Sequence, residues 1–254
     1  MNNILQQIAV ETTLRIEKQK QITPPEKLIE LAKSMPIGGT RFESALRGDD
    51  ISFICEVKKA SPSKGIIAED FDHVQIAKDY AANGAAAISV LTEPFRFKGA
   101  DSYLSDISKV VETPLLRKDF VVDEYMLYEA KVLGASAVLL ICAILDTATI
   151  AKYIEIADSL GLCSLVETHD ESEVKSAINA GARIIGVNNR NLKTFEIDLS
   201  LSERLRTLVP ADKVFVAESG ISTREDVERF RKIGANAVLV GEALMRGIGL
   251  KCLK

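Results

Sequence analysis

Four Gly-Ala pairs, beginning at Gly84, Gly134, Gly181 and Gly234, recur at intervals of 47 to 53 residues. Each closes a segment of helical period, as glycine does in a left-handed C-cap. Each then leads into a short run of apolar and β-branched residues. A repeat of this length is a supersecondary unit that buries its apolar face only by stacking on its neighbours. The runs fall at residues 53–58, 86–91, 115–120, 137–143, 164–168, 184–188, 214–218 and 237–240. Segments of helical period alternate with them, among them residues 74–83, 124–133, 148–160, 171–180 and 223–233. Continuous apolar strands alternating with helices specify a parallel sheet covered by helices. Eight such units in about 200 residues predict a (β/α)8 TIM barrel. An open doubly wound sheet is the alternative, but no Gly-x-Gly-x-x-Gly turn follows the first strand, as the dinucleotide-binding version of that fold requires.

The first 50 residues follow another pattern. Ile4, Ile8, Leu14 and Ile16 are spaced as on a helix within a polar, charge-rich segment. Pro24-Pro25 interrupts it, residues 27–33 read as a second short helix, and 42–47 as a helical turn. Residues 1–254 are therefore expected to form one domain, with 1–50 an N-terminal helical extension and 51–254 the barrel. Only nine residues follow Met245.

Composition excludes several function classes. The net charge of −4 argues against a nucleic-acid or anionic-membrane partner, which a basic face would serve. A small anionic substrate needs only a few local cations. Cys55, Cys142, Cys163 and Cys252 form no close-spaced pairs, and the first three sit in apolar runs. They read as small buried hydrophobes in a reducing cytoplasm. His73 and His169, the only histidines, have no ligand-spaced cysteines, so no metal site is expected. The opening Met-Asn-Asn-Ile-Leu-Gln-Gln lacks the basic and apolar regions of a signal peptide, and no apolar run reaches membrane-spanning length.

The chemistry concentrates at strand ends. Glu56 and Lys58, two residues apart on a strand, face the same side. A buried carboxylate beside a buried ammonium is costly unless each is paired or used. Lys118, Glu167 and Glu218 close the third, fifth and seventh strands, and Asn188, followed by Arg190, closes the sixth. In a barrel these ends converge on one mouth, where active sites of the fold are built. Any one of them alone could be a buried ion pair, but the group together implies a polar active site. Gly220 and Gly241 follow the seventh and eighth strands, where many barrels let backbone N–H groups approach a phosphate. Phosphate binding by itself does not choose among such barrels.

Seven motifs in order choose more narrowly. They are Glu56-Val-Lys-Lys-Ala-Ser-Pro-Ser-Lys-Gly65, Leu91-Thr-Glu93, Leu116-Arg-Lys-Asp-Phe120, Leu165-Val-Glu-Thr-His169, Ile185-Gly-Val-Asn-Asn-Arg-Asn-Leu192, Ala217-Glu-Ser-Gly-Ile-Ser222 and Gly241-Glu-Ala-Leu-Met-Arg246. In register on separate strands, they closely resemble the indole-3-glycerol phosphate synthase family of tryptophan biosynthesis. The resemblance implies conversion of 1-(2-carboxyphenylamino)-1-deoxyribulose 5-phosphate to indole-3-glycerol phosphate, by ring closure and loss of CO2 and water. It implies no metal, no organic cofactor and a cytoplasmic monomer whose partner is this small substrate.

It also implies roles. Lys118 matches the general acid of ring closure, with a pKa expected to be lowered by burial and by Lys58. Lys58 matches a substrate anchor with proton-transfer capacity, and Glu167 the general base of dehydration. Glu56 matches a carboxylate orienting lysine and substrate, while Asn188 and Glu218 match holders of its hydroxyls. Arg190 would meet the substrate carboxylate with its forked donors. Ser61 would contact substrate, Phe97 and Phe120 would wall the anthranilate ring, and Ser219, Gly220, Gly241 and the backbone of Glu242 would hold the phosphate. Glu242 stands where some relatives have serine, so its charge should point away from the phosphate. Rival readings are an isomerase pairing cysteine with aspartate, a metal-dependent epimerase and an inactive scaffold. Cys55 alternates away from Glu56, histidines do not gather at strand ends, and the acid–base residues are all present.

Overall fold

The computed structural model describes residues 4–191 and 194–254. Met1, Asn2 and Asn3, and Leu192 at the end of the fifth motif, lie outside them. Eight parallel strands close into a barrel: β1 (Ser52–Val57), β2 (Ala87–Leu91), β3 (Leu115–Lys118), β4 (Ala137–Ile141), β5 (Cys163–Thr168), β6 (Ile184–Asn188), β7 (Val214–Glu218) and β8 (Ala237–Val240). Each pairs with the next in the chain, and β8 returns to β1 with Ser52 opposite Ala237 and Cys55 opposite Val240. The expected barrel is the observed one. Strands β3 and β4 stop two residues short of the expected ends. At β3 the cause is Asp119, whose side chain caps its own strand exit by accepting from Phe120 N at 2.9 Å.

The expected helices appear as α4 (His73–Ala82), α6 (Tyr125–Val132), α7 (Thr147–Ser159), α8 (Glu171–Asn179) and α10 (Arg224–Lys232). Additional helices are α5 (Asp101–Ser108), α9 (Ser200–Arg206) and the short α11 (Glu242–Met245) and α12 (Leu250–Leu253). Asp72, Asp146 and Asp170 cap α4, α7 and α8, each accepting a backbone N–H of the first turn. This satisfies donors that a helix start leaves orphaned. At the other ends, Gly84, Gly134, Gly181 and Gly234 have φ of 80°, 88°, 85° and 73°. Only glycine enters that region without steric cost, which gives the fifty-residue repeat its physical basis.

Strand alternation divides the apolar side chains into two cores. Cys55, Ile88, Val138 and Val166 face the helices, whereas Ile54, Leu116, Leu139, Leu165 and Val216 fill the barrel interior. Cys55 therefore points away from Glu56, as expected. Cys163 is also buried, but Cys142 is only partly so, because it lies past the end of β4. The N-terminal extension consists of α1 (Ile4–Ile22), α2 (Pro25–Ser34) and α3 (Arg41–Ala45). Phe42 and Leu46, both fully buried, join the interior cluster and plug the barrel below. Helix α1 is tied to the opposite face by Arg15–Asp119 at 2.8 Å, Lys20–Asp123 at 2.7 Å and Glu11–Arg96 at 2.9 Å. The short C-terminal segment does not open the barrel. Leu250 and Leu253 are buried, and Lys254 Nζ donates to Asn83 O and Gly84 O at 3.0 and 3.1 Å. Among the described residues no helix is long and apolar enough to cross a membrane.

Candidate active site

A cavity of about 410 Å³ opens at the C-terminal ends of the strands, and all fourteen residues singled out from the sequence line it. Glu56, the penultimate residue of β1, points into the cavity, and Lys58 sits one residue past the strand with its Nζ 2.6 Å from Glu56 Oε1. Gly241 lets the two approach. A Cβ at that position would strike Glu56 Oε1 and come within 2.9 Å of Lys58 Nζ.

Lys118 ends β3 and reaches across the interior to carboxylates of β5 and β7. Its Nζ is 3.3 Å from Glu167 Oε2 and 3.9 Å from Glu218 Oε2. The lowered pKa expected for Lys118 is not found. Burial pulls the ammonium down, but Glu167, Glu218 and Glu56 outweigh it and hold the group above its ordinary value. Opposite charges at this distance favour the charged form of both Lys118 and Glu167.

The two glutamates facing Lys118 are driven apart. Burial would raise Glu167, but Lys118, His169 and a hydrogen bond with Asn188 hold it well below the usual carboxylate range. Glu218 goes the other way, pushed up to about 8 by burial and then by the charge of Glu167, against the pull of Lys118. Its Oε1 is buried with no hydrogen-bond partner among the described residues. The room for that oxygen comes from Gly186 on β6, where any Cβ would collide with it. A carboxylate kept ionised beside one kept neutral is the arrangement that lets a single site run base and acid chemistry near neutral pH.

Phe97 and Phe120 lie with ring centroids 6.1 Å apart and planes tilted by 38°. Fully buried Glu93 positions the first of them by accepting from the backbone N–H groups of Phe95, Arg96 and Phe97 at 2.7 to 2.8 Å. Arg190 donates through Nη1 to Phe195 O at 3.2 Å. After β7, Ser219 has φ of 68° and Gly220 of 83°. The left-handed conformation costs a non-glycine residue about 1 kcal/mol or more, and such strain persists mainly at sites that use it. Glu242 turns its carboxylate to Arg246, with Oε1 3.0 Å from Nε, so its charge is matched within its own turn.

Three features escaped the sequence reading. Leu5 of α1 reaches the cavity wall, which no local pattern signals. Arg117 is fully buried between Asp101 at 2.7 Å and Glu129 at 2.6 Å, and donates to Met126 O at 3.0 Å. Its place beside Lys118 means it faces the helices, and its partners Asp101 and Glu129 follow only from packing. His169 lies 3.3 Å from Glu167 Oε1. Here a signal existed, since Glu167 and His169 have the same two-residue spacing as Glu56 and Lys58.

Comparison with known proteins agrees with this geometry. Residues 5–251 match the family description of indole-3-glycerol phosphate synthase. The indole-3-glycerol phosphate synthase of Ruminiclostridium cellulolyticum is 57% identical over 96% of this chain and 94% of its own length. That of Endomicrobium trichonymphae is 49% identical over 96% of this chain and 95% of its own. Among solved structures, a mutant tryptophan synthase alpha-subunit from Pyrococcus furiosus superposes with a TM-score of 0.59 at 20% identity, covering 81% of this chain and 93% of that one. That likeness speaks for the barrel alone. With the match running from α1 into α12 and every singled-out residue on one cavity, the chain belongs to the indole-3-glycerol phosphate synthase family.

Proposed function

We propose that this chain converts 1-(2-carboxyphenylamino)-1-deoxyribulose 5-phosphate to indole-3-glycerol phosphate, CO2 and water. The observation that carries the reading is the Lys118–Glu167 pair, 3.3 Å apart, in a cavity also lined by Phe97, Phe120 and the glycine turns at Gly220 and Gly241. The phenyl rings take the anthranilate ring, Arg190 takes its carboxylate, and the turns Ser219–Gly220 and Gly241–Glu242 take the phosphate. Ser61 contacts the substrate beside them.

Lys118 is the general acid of ring closure. It gives a proton to the ketone oxygen as the aryl carbon attacks, and the surrounding glutamates keep the donor loaded at neutral pH. Loss of CO2 restores the aromatic ring. Glu167, ionised throughout the working range, accepts the proton released in dehydration. Glu218, neutral below about pH 8, donates to a substrate hydroxyl, and Asn188 holds the neighbouring one. Lys58, oriented by Glu56, anchors the substrate and shares proton transfer. The enzyme acts as a single-domain monomer in the cytoplasm, without metal, organic cofactor, nucleic acid or membrane.

The test is indole fluorescence on mixing the purified chain with the carboxyphenylamino-deoxyribulose phosphate in the presence of EDTA. A rising signal is expected. A flat trace, with inorganic phosphate still raising the melting temperature, would leave the barrel and its phosphate turns standing and rule out this reaction.

A further inference from the structure

His169 lies between the proposed base and an acidic residue of the helix that follows. It is the residue just after β5. Its backbone N–H donates to Glu173 Oε2 at 2.7 Å, and its ring Nδ1 lies 3.0 Å from the same oxygen. Its Nε2, buried and without a well-aligned hydrogen bond, is 3.3 Å from Glu167 Oε1. Glu173 is itself fixed in the first turn of α8, where its N–H donates to the cap Asp170 at 2.9 Å. The Glu167 carboxylate is thus divided, with Oε2 towards Lys118 and Oε1 towards His169.

We infer that His169 is a positioning residue for Glu167, holding Oε1 so that Oε2 stays directed at Lys118 and the reacting substrate, while Glu173 fixes the imidazole from behind. The inference rests on Glu167 being the base of the reaction above. A carboxylate between two cations has one low-energy orientation, whereas one held by Lys118 alone can turn about its last torsion. Orientation of a catalytic group by a partner outside the cavity is a common source of rate.

The charged groups around the ring come from four elements. They are Glu167 of β5, Glu173 and Asp170 at the start of α8, Lys118 of β3 and Glu218 of β7. Burial works against charge on His169, but Glu167 and Glu173 overcome it and hold the imidazolium up to about 10. Its charge in turn lowers Glu167. Loss of the cation would raise the Glu167 pKa. Since the base works deprotonated, the acidic limb of the kcat profile would move to higher pH.

His169→Gln keeps an N–H donor but removes the charge, and Glu173→Gln releases the ring. For each, kcat is expected to fall about tenfold or more with KM changed less than about threefold, and the acidic limb to move upward. In a Glu167→Gln background His169→Gln should cost nothing further, since residues acting through one another are not additive. Equal losses in both backgrounds, or a lowered melting temperature with an unmoved pH profile, would overturn the inference. A second measurement does not need activity. With only two histidines in the chain, 15N-histidine NMR can follow His169 directly, and Glu167→Gln should lower its pKa. An unchanged value would refute the pairing even if the native chain made no indole product, an outcome that separately defeats the functional reading.

Discussion

Lys118 Nζ and Glu167 Oε2 stand 3.3 Å apart although 49 residues separate them in the chain. The pair links β3 to β5 across the barrel interior, and it makes Lys118 a charged donor. Lys118→Met should lower turnover by at least about 10²-fold, as loss of a positioned acid does. Substrate affinity, measured by titration calorimetry, should change little. Lost affinity with residual turnover intact would remove the acid role.

The depression of Glu167 sets the pH behaviour of the proposed base. A carboxylate with a lowered folded-state pKa stays ionised down to that value, so activity resting on it should persist below the ordinary glutamate pKa of about 4.3 wherever the fold survives. Glu167→Gln should cut kcat by at least about 10²-fold across the whole profile. Stopped-flow fluorescence at constant ionic strength reads both effects. A wild-type profile falling with a single ionisation near neutrality would assign the limb to another group.

Glu218 makes the opposite prediction for stability. Its folded-state pKa of about 8 lies above its unfolded value, so the folded chain binds an extra proton in between. Stability from this group is present at low pH and declines as pH rises from the unfolded pKa through about 8. Glu218→Gln removes that decline. Its melting temperature should exceed the parent's by about 2–4 °C at pH 9 for each kcal/mol recovered, and the gain should shrink towards pH 5. A gain independent of pH would contradict the assignment.

Arg117 tests the outer face of the same strand. Its guanidinium is fully buried and compensates Glu129, Asp101 and Asp119. Arg117→Met should destabilise by about 3–5 kcal/mol, the range for removing one partner of a buried ion group. A drop in the urea midpoint checks it, and a loss under about 1 kcal/mol would place the network among weak surface pairs.

Gly241→Ala addresses the turn after β8. The added methyl would press on Glu56 Oε1 and Lys58 Nζ, and overpacking of this kind costs about 1–3 kcal/mol. KM should rise, because both the proposed anchor Lys58 and the proposed phosphate turn shift. An unchanged KM would show that the loop yields freely.

Strand and helix periods are local properties, so the barrel, the helix-facing side of Cys55 and the inward side of Glu56, Lys58, Lys118, Glu167 and Glu218 were legible from spacing alone. The Gly-Ala repeat carried the helix ends for the same reason, since a left-handed residue is a demand of its own turn. The motifs carried the family and thirteen of the fourteen residues singled out for the cavity, Phe97 lying outside them. What they did not carry were ionisation states and long-range ties. The sequence placed Lys118 near Lys58 and suggested a weakened ammonium, whereas closure of the barrel set it against two glutamates and reversed the sign. Likewise Arg15 meets Asp119 across 104 residues, and Leu5 reaches the cavity because that tie holds α1 there. Coulomb energies depend on through-space distance and on exclusion of water. Neither exists until strands far apart in the chain are brought within a few ångströms, so the tertiary structure alone decided which carboxylate is charged, which is neutral and which histidine attends them.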